Sequence, residues 1–275
     1  MLSQGDLEHK YKLNSYQISY LLKAHELVNF NNKIVLEVGG SLPQKLVTNE
    51  LLVSQWIGNE ELSYYSESGY NSPSVIENSI VNSEYNSNVK YSTIAGGIEE
   101  LNESYFGVFD IVFSIAAFEH INKFPEALEI IYLALKPGGK LITIFSPIWS
   151  SCVGHHLPQI IDSQEKEYDF GNSPLPPWGH LLMNRIELYD FLLSKFDKNF
   201  INKILYYVFN SSHINRYFLD DFIDLIHLSK FIKSDKNIIH PIFPIVVPKD
   251  IETVLKNKYG NRDFSNQGLF LLLEK

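Results

Sequence analysis

Residues 33–44, KIVLEVGGSLPQ, join an apolar, β-rich run to a glycine turn and the start of a helix. Gly39 and Gly40 make the turn, Ser41 can cap the next helix, and Pro43 suits its first turn. Glycines let a backbone approach a ligand closely, and a helix N-terminus offers unpaired N–H groups. The stretch therefore predicts a strand, a turn and a helix that together bind a nucleotide-like ligand.

The alternation of strand and helix continues along the chain. Four further β-like runs lie at residues 53–57, 89–95, 109–114 and 140–145. The run at 109–114, FDIVFS, is apolar almost throughout, as in a strand that helices cover on both faces. A helical pattern follows it and ends at the Pro-Gly-Gly of residues 137–139. Five strands alternating with helices predict a doubly wound α/β sandwich, in which ligands bind at the C-terminal ends of the strands.

Three regions follow from this pattern. Residues 1–32 are predicted to form a helical lead-in, and residues 33–147 are predicted to form the ligand-binding core. Residues 148–275 are predicted to form a substrate lid, a helical insertion and the closing strands of the same domain. Prolines and glycines interrupt residues 147–179, and irregular loops of that length are usually lids or binding loops. Beyond the loop, helices or strands are predicted at residues 185–196, 214–228, 237–247, 249–258 and 269–273.

The composition narrows the classes of function. The 275 residues carry a formal net charge of −9, whereas broad binding of DNA or RNA needs clustered Lys and Arg, so no nucleic-acid partner is expected. Cys152 is the only cysteine, which excludes an intrachain disulfide and fits a reducing cytoplasm. Without a signal peptide or an apolar run of about 18 residues, a cytoplasmic protein without membrane contact is expected. The oligomeric state is left open.

Three motifs occur together in the predicted core: VLEVGGS at 35–41, FDIVFSIAAFEHI at 109–121 and LKPGGKLITIFSP at 135–147. The chain lacks the G-x-G-x-x-G of dinucleotide-binding enzymes and the G-x-x-x-x-G-K-[ST] of P-loops. In their order and spacing the three motifs resemble the class I S-adenosylmethionine-dependent methyltransferases. That resemblance implies a Rossmann-like αβα sandwich with a seven-stranded sheet. It also implies S-adenosyl-L-methionine as the cofactor and S-adenosyl-L-homocysteine as its product.

The resemblance also implies where the cofactor binds. Glu37 and Gly39 would line its methionine end, and Glu60 would accept two hydrogen bonds from its ribose. Asn59 and Glu61 are the alternatives for the ribose. The complete set of expected cofactor-binding residues is Glu37, Gly39, Gly40, Ser41, Glu60, Gly97, Ile98, Ser114 and Ala116.

Two of these positions depart from the family pattern. Ser41 stands where the family commonly has the last glycine of the turn, and Gly97 stands where it has an acidic residue. Ile98 would lie near the adenine. Ser114 and Ala116 would face the cofactor and the transferred methyl group.

Histidines are the candidates for catalysis. An imidazole can remove the proton of a hydroxyl acceptor near neutral pH. His120 follows the fourth predicted strand in a Glu-His dipeptide frequent in the family, while His155, His156 and His180 lie in or beside the long loop. Each could instead have a purely structural role. The three histidines of the loop, with Asp162 or Asp169, would permit a metal site, but no catalytic metal is expected, because their spacing matches no known site.

These expectations combine into a small-molecule O-methyltransferase. Its acceptor would be a hydroxylated, sugar- or phosphate-bearing metabolite of glycan or secondary metabolism. The alternatives are a small-molecule N-methyltransferase and an inactive module that binds S-adenosylmethionine or a nucleoside.

Overall fold

The structure, a computed structural model, describes residues 3–40, 42–60 and 88–275. Strands in these ranges are β1 (Ile34–Val38), β2 (Gln55–Glu60), β3 (Lys90–Ala95), β4 (Phe109–Ile115), β5 (Leu135–Phe145), β6 (Ile160–Ile161), β7 (Glu167–Tyr168), β8 (Ile238–Pro244) and β9 (Asn266–Glu274). Helices are α1 (Gln4–Tyr11), α2 (Ser15–Val28), α3 (Gln44–Glu50), α4 (Phe124–Ala134), α5 (Gly179–Leu182), α6 (Arg185–Leu193), α7 (Lys198–Phe209), α8 (Leu219–Leu228) and α9 (Lys249–Tyr259).

Seven of the strands form one sheet in the order β3-β2-β1-β4-β5-β9-β8. β1 to β5 are parallel, whereas β9 pairs antiparallel with both β5 and β8. β6 and β7 form a separate two-stranded hairpin. The chain order turns back between β1 and β4, which makes that point the topological switch of the sheet. The predicted sandwich with a seven-stranded sheet is confirmed.

Helices cover both faces of the sheet because neighbouring residues of each strand point to opposite sides. Leu36 of β1 packs in a core with α4 and α8, which contribute Phe124 and Phe222. Val35, its neighbour, packs in a second core with Ile18 of α2 and Leu46 of α3. The fold therefore has three layers, namely the sheet and the helices on each of its two faces. The ends of the strands at the topological switch lie in an opening between these layers.

A third core lies beyond the sheet and contains residues of the long loop. Trp149, Leu157 and Trp178 are buried there against helices α6, α7 and α9. The loop thus has its own apolar interior. Among the described residues, every helix is too short or too polar to span a bilayer.

Several predicted boundaries shift in the structure. The predicted strand at 53–57 begins and ends later, as β2, and includes Glu60. The predicted helix at 214–228 begins only at Leu219, because Asn215 is buried and its amide donates to the carbonyls of Phe118 and Ile121. α1 and α7 were not predicted, although Asp197 accepts hydrogen bonds at the first turn of α7 as helix caps do.

Candidate active site

A cleft lies at the C-terminal ends of β1 and β4, at the switch point of the sheet. Its lining residues are Val38, Gly39, Asn59, Gly97, Ile98, Glu99, Ala116, Ala117, His120 and Ile121. The empty space of the cleft, including the solvent at its mouth, is about 500 Å³. Five of the predicted site residues therefore share one cleft: Gly39, Gly97, Ile98, Ala116 and His120.

The turn after β1 needs glycine. Gly39 has φ +94°, and a Cβ there would lie 2.6 Å from the Cβ of Ala117. Gly40 has φ +56°, and its Cβ would lie 2.4 Å from Cγ of Glu60. The turn therefore passes against the end of β4 and against Glu60, as a cradle for a closely bound ligand requires. Ser41 lies outside the described residues.

Glu37 lies behind this turn and does not line the cleft. Its side chain is fully buried, and its carboxylate accepts hydrogen bonds from the Leu42 N–H at 2.9 Å and from Nε1 of Trp56 at 2.8 Å. Ser114 is likewise buried, and its hydroxyl donates to the carbonyl of Val38 at 2.8 Å. The polar atoms of both residues hold the loop and the strand, and their expected contacts with the cofactor stay predictions.

The rim formed by β2 and β3 carries acidic and amide groups. Asn59 lines the cleft, and its amide donates to the carbonyl of Gly96 at 2.9 Å. Glu60 is partly exposed beside the glycine turn, and burial raises the pKa of its carboxyl. Glu99 also lines the cleft and lies 3.6 Å from Nζ of Lys123. Sequence reasoning missed Glu99 because it sought the acidic residue at position 97, two residues earlier.

His120 lies in a 3₁₀ turn, Phe118–His120, directly after β4. Its Nδ1 hydrogen-bonds to the carbonyl of His213, so the neutral ring carries its lone pair on Nε2. Burial lowers the pKa of His120 to about 3. The ring is therefore neutral at physiological pH.

Glu119 and His156 lie next to His120. The rings of His120 and His156 are 4.6 Å apart, centroid to centroid. Glu119 is fully buried, one oxygen accepts the Ser146 N–H at 3.3 Å, and burial raises the pKa of the carboxyl to about 8. Burial also holds the pKa of His156 well below its usual range. Oε2 of Glu119 and Nδ1 of His156 have no hydrogen-bond partner in the described part of the chain.

A segment before α8 holds this cluster in place. The Asn215 N–H donates to the carbonyl of Glu119 at 2.8 Å. His213 is buried beside the two other histidines, with Nε2 bonded to the carbonyl of His156 at 2.6 Å. Neither residue was predicted, because only the tertiary fold brings residues 213–215 to the end of β4.

Tyr16 of α2 approaches the same place from the N-terminal region. Its hydroxyl is buried without a hydrogen-bond partner in the described residues. Burial raises the pKa of Tyr16, and the charge of Glu119 acts in the same direction. The helical lead-in therefore contributes a polar group beside Glu119.

His155 and His180 lie away from the cleft, inside the third core. His155 is fully buried; its Nδ1 accepts the Leu157 N–H at 3.0 Å and its Nε2 lies 3.1 Å from the hydroxyl of Ser173. His180 is buried, with Nε2 bonded to the Trp149 carbonyl at 2.8 Å, and burial lowers its pKa to about 4. Both have structural partners, whereas His120 lines the cleft and the ring of His156 packs against that of His120.

Comparison with known proteins adds the chemistry. Residues 72–143 match the model of a methyltransferase domain family. No curated protein sequence matches the chain. Phosphoethanolamine N-methyltransferase 2 of Haemonchus contortus, solved with S-adenosylhomocysteine, is similar in fold: 11% identity, 99% of this chain and 56% of that chain covered, TM-score 0.51.

Two further solved structures cover nearly the whole chain. Both are S-adenosylmethionine-dependent methyltransferases, one from Mesorhizobium loti and one from Archaeoglobus fulgidus. The first has 12% identity, covers 93% of this chain and 96% of that chain, and has a TM-score of 0.47. The second has 12% identity, covers 98% and 99%, and has a TM-score of 0.47.

The family match and the seven-stranded sheet, with its glycine cradle at the switch point, define a methyltransferase. The chain has the fold of the class I S-adenosylmethionine-dependent methyltransferases, its residues 72–143 match a methyltransferase domain, and it is an enzyme. Its cofactor is S-adenosyl-L-methionine. The residues present fit this group, because a side chain at Gly39 would intrude on Ala117 in the wall of the cleft.

Proposed function

We propose that this enzyme transfers the methyl group to a hydroxyl of a small molecule. S-adenosylmethionine supplies an electrophilic methyl group, so the chain has to align the acceptor and take its proton. The observation that carries the proposal is the placement of His120 in the cleft wall beside Ala116 and Ala117, with Glu119 and His156 behind it. The acceptor oxygen becomes strongly acidic as it takes the methyl group, so a neutral imidazole can accept its proton at that stage even though burial makes His120 a weak base.

The parts of the chain divide the work. Residues 33–147 bind the cofactor through the glycine turn, Glu60 and the turn after β3. Residues 148–275 supply His156 and the third core, and we propose that they recognise the acceptor. Among the four candidate histidines, the positions of His120 and His156 support a catalytic role, and the hydrogen bonds of His155 and His180 support a structural one. The sugar- or phosphate-bearing nature of the acceptor and the cytoplasmic location stay predictions.

The first experiment separates an enzyme from a binding module. Titration calorimetry with S-adenosylmethionine and S-adenosylhomocysteine should show binding of both. A panel of sugars, polyols and phenols, each paired with the matching amine, is then incubated with the cofactor while S-adenosylhomocysteine is quantified. Turnover of hydroxyl acceptors supports the proposal, and turnover of amines alone refutes it.

Variants test the role of His120. His120→Gln should lose activity by about 10²–10⁴-fold, the usual contribution of a general base, with cofactor affinity intact. His227→Gln is the matched control, because His227 is exposed on α8. Full activity of His120→Gln would remove this residue from catalysis.

A further inference from the structure

We propose that Glu119, His120 and His156 form a site for one divalent transition-metal ion, of the kind of Mn²⁺, Fe²⁺, Co²⁺ or Zn²⁺. One carboxylate oxygen and two imidazole nitrogens of these residues lie within 4.8 Å of one another. Two donors that bind one ion at about 2.0–2.2 Å lie at most about 4.4 Å apart. The separations here, within 4.8 Å, exceed that limit only slightly, so small side-chain rotations bring all three donors to one ion. Its role in catalysis rests on the proposed O-methyl transfer, whereas the binding of the ion does not.

Two buried atoms mark the place for the ion. Oε2 of Glu119 and Nδ1 of His156 have no partner in the described part of the chain, and their residues are 0% and 5% exposed. Buried polar atoms are nearly always satisfied, and each exception needs an explanation. A cation between the carboxylate and the imidazole satisfies both atoms at once.

The second ring nitrogen of His120 is already set for metal binding. Histidines that bind metals usually donate their second N–H to a carbonyl or a carboxylate, which selects the ligating nitrogen. Nδ1 of His120 is bonded to the carbonyl of His213, so the lone pair of the neutral ring is on Nε2. In His156, Nδ1 is the ring nitrogen that has no hydrogen-bond partner in the described part of the chain.

The donor set indicates the class of ion. Imidazole suits the first-row transition metals and zinc, whereas magnesium and calcium prefer oxygen ligands alone. Two histidines and one carboxylate are also the ligands of sites that keep coordination positions open. Since His120 lines the cleft, an open position there is accessible to the oxygen of an acceptor, whose proton an ion makes more acidic. With the ion bound, the Nε2 lone pair of His120 would hold the ion and would not take the proton, so His120→Gln would lose activity through loss of the ion.

A metal ion at this cluster differs from the expectation, drawn from the sequence, that the protein has no catalytic metal. The sequence suggested metal binding only through the histidines of the loop, whose spacing matches no known site. His120 and His156 are 36 positions apart, and only the fold places their rings side by side.

Binding of Mn²⁺ to the untagged full-length protein tests the site directly. Protein freed of metal with EDTA and then dialysed is titrated with Mn²⁺, and free Mn²⁺ is followed by electron paramagnetic resonance. One ion per chain should bind, and Zn²⁺ should displace it. Pulsed measurements on the wild-type complex should detect coupling to imidazole nitrogen, a result that needs no variant.

Variants locate the ion. Glu119→Gln and His156→Gln should each weaken Mn²⁺ binding by more than tenfold, while His227→Gln, an exposed histidine on α8, should bind as the wild type does. Binding of S-adenosylhomocysteine reports whether each variant is folded. Absence of stoichiometric Mn²⁺ and Zn²⁺ binding by the wild type, or of imidazole coupling, overturns the site. Either result leaves hydroxyl methylation to be judged by the acceptor panel alone.

Discussion

Single residues of the glycine turn are proposed to determine whether the cofactor can bind. Gly39 combines a left-handed backbone with a close approach to Ala117. Gly39→Ala should therefore weaken binding of S-adenosylhomocysteine about tenfold or more, since strain of about 1–3 kcal/mol is added at the wall of the cleft. Titration calorimetry measures the affinity, and thermal unfolding shows whether the variant folds.

Gly138 provides the matched control for this prediction. It has φ +76°, and nothing lies within 4 Å of the position of its Cβ. Gly138→Ala therefore adds backbone strain without a clash and should retain cofactor affinity. Equal affinity of the Gly39 and Gly138 variants would remove the turn from the cofactor site.

Glu60 is the residue proposed to bind the ribose. Glu60→Ala should weaken S-adenosylhomocysteine binding by about 1.5–3 kcal/mol, because hydrogen bonds to a charged group are lost. Glu100→Ala, an exposed acidic residue after β3, should change the affinity little. If Glu99→Ala lowers the affinity and Glu60→Ala does not, ribose recognition lies on the β3 side of the cleft.

His180 should make stability depend on pH. Burial lowers its pKa from 6.5 to about 4, so the unfolded chain binds the proton first. The contribution of His180 to the free energy of unfolding is complete above about pH 6.5 and is lost as the pH falls toward 4. Within this window the free energy of unfolding should fall by about 1.4 kcal/mol per pH unit. His180→Gln, which keeps a donor for the Trp149 carbonyl, should unfold in urea with a weaker pH dependence in this window. An unchanged slope would show that His180 is not the titrating group.

At the scale of elements, the segment after β5 is packed rather than loose. The N–H of Gly154 donates to the carbonyl of Ser151 at 3.1 Å, and the N–H of Trp178 donates to that of Cys152 at 2.8 Å. A Cβ on Gly154 would lie 2.3 Å from the carbonyl oxygen of Ile148. The residues of the predicted lid are thus packed against one another in a core of their own. Closure over a substrate would therefore require movement of the neighbouring elements and not of the lid alone.

Gly154→Ala should disrupt the packing of this segment and open its backbone to solvent. Backbone atoms cannot rotate away as a side chain can, so the substitution should destabilise the protein by about 1–3 kcal/mol, as overpacking does. Hydrogen exchange of residues 148–157 should accelerate. Gly5→Ala, where nothing lies within 4 Å, is the control. Equal protection in both variants would mean that the turn tolerates a side chain.

At the scale of the whole molecule, β9 joins the parallel core to the C-terminal region. It lies between β5 and β8, and Leu271 is fully buried beneath helices α4 and α8. Leu271→Ala should lower the free energy of unfolding by about 2–5 kcal/mol, the usual cost of a core leucine. Leu228→Ala, 83% exposed, should have almost no effect. Urea unfolding compares the two, and similar midpoints would show that β9 is not part of the cooperative core.

Long-range contacts also hold the acidic side of α8. Asp221 lies 2.6 Å from Nη1 of Arg262, and Asp220 accepts the N–H of Asp263 at 3.0 Å. The loop after α9 therefore packs on α8 through one ion pair and one hydrogen bond.

The order of strands and helices, the glycine turn and the class of cofactor all follow from the linear sequence. These properties depend on local periodicity and on motifs within a few residues of one another, so a linear pattern contains them. The tertiary structure alone decided which polar side chains meet. It placed Glu37 behind the cleft, where Trp56 and Leu42 donate hydrogen bonds to its carboxylate. It also packed the ring of His120 against that of His156, beside a segment that ends at Asn215. Distance along the chain does not determine distance in space, and burial, which sets the charge state of these groups, is a property of the packed molecule.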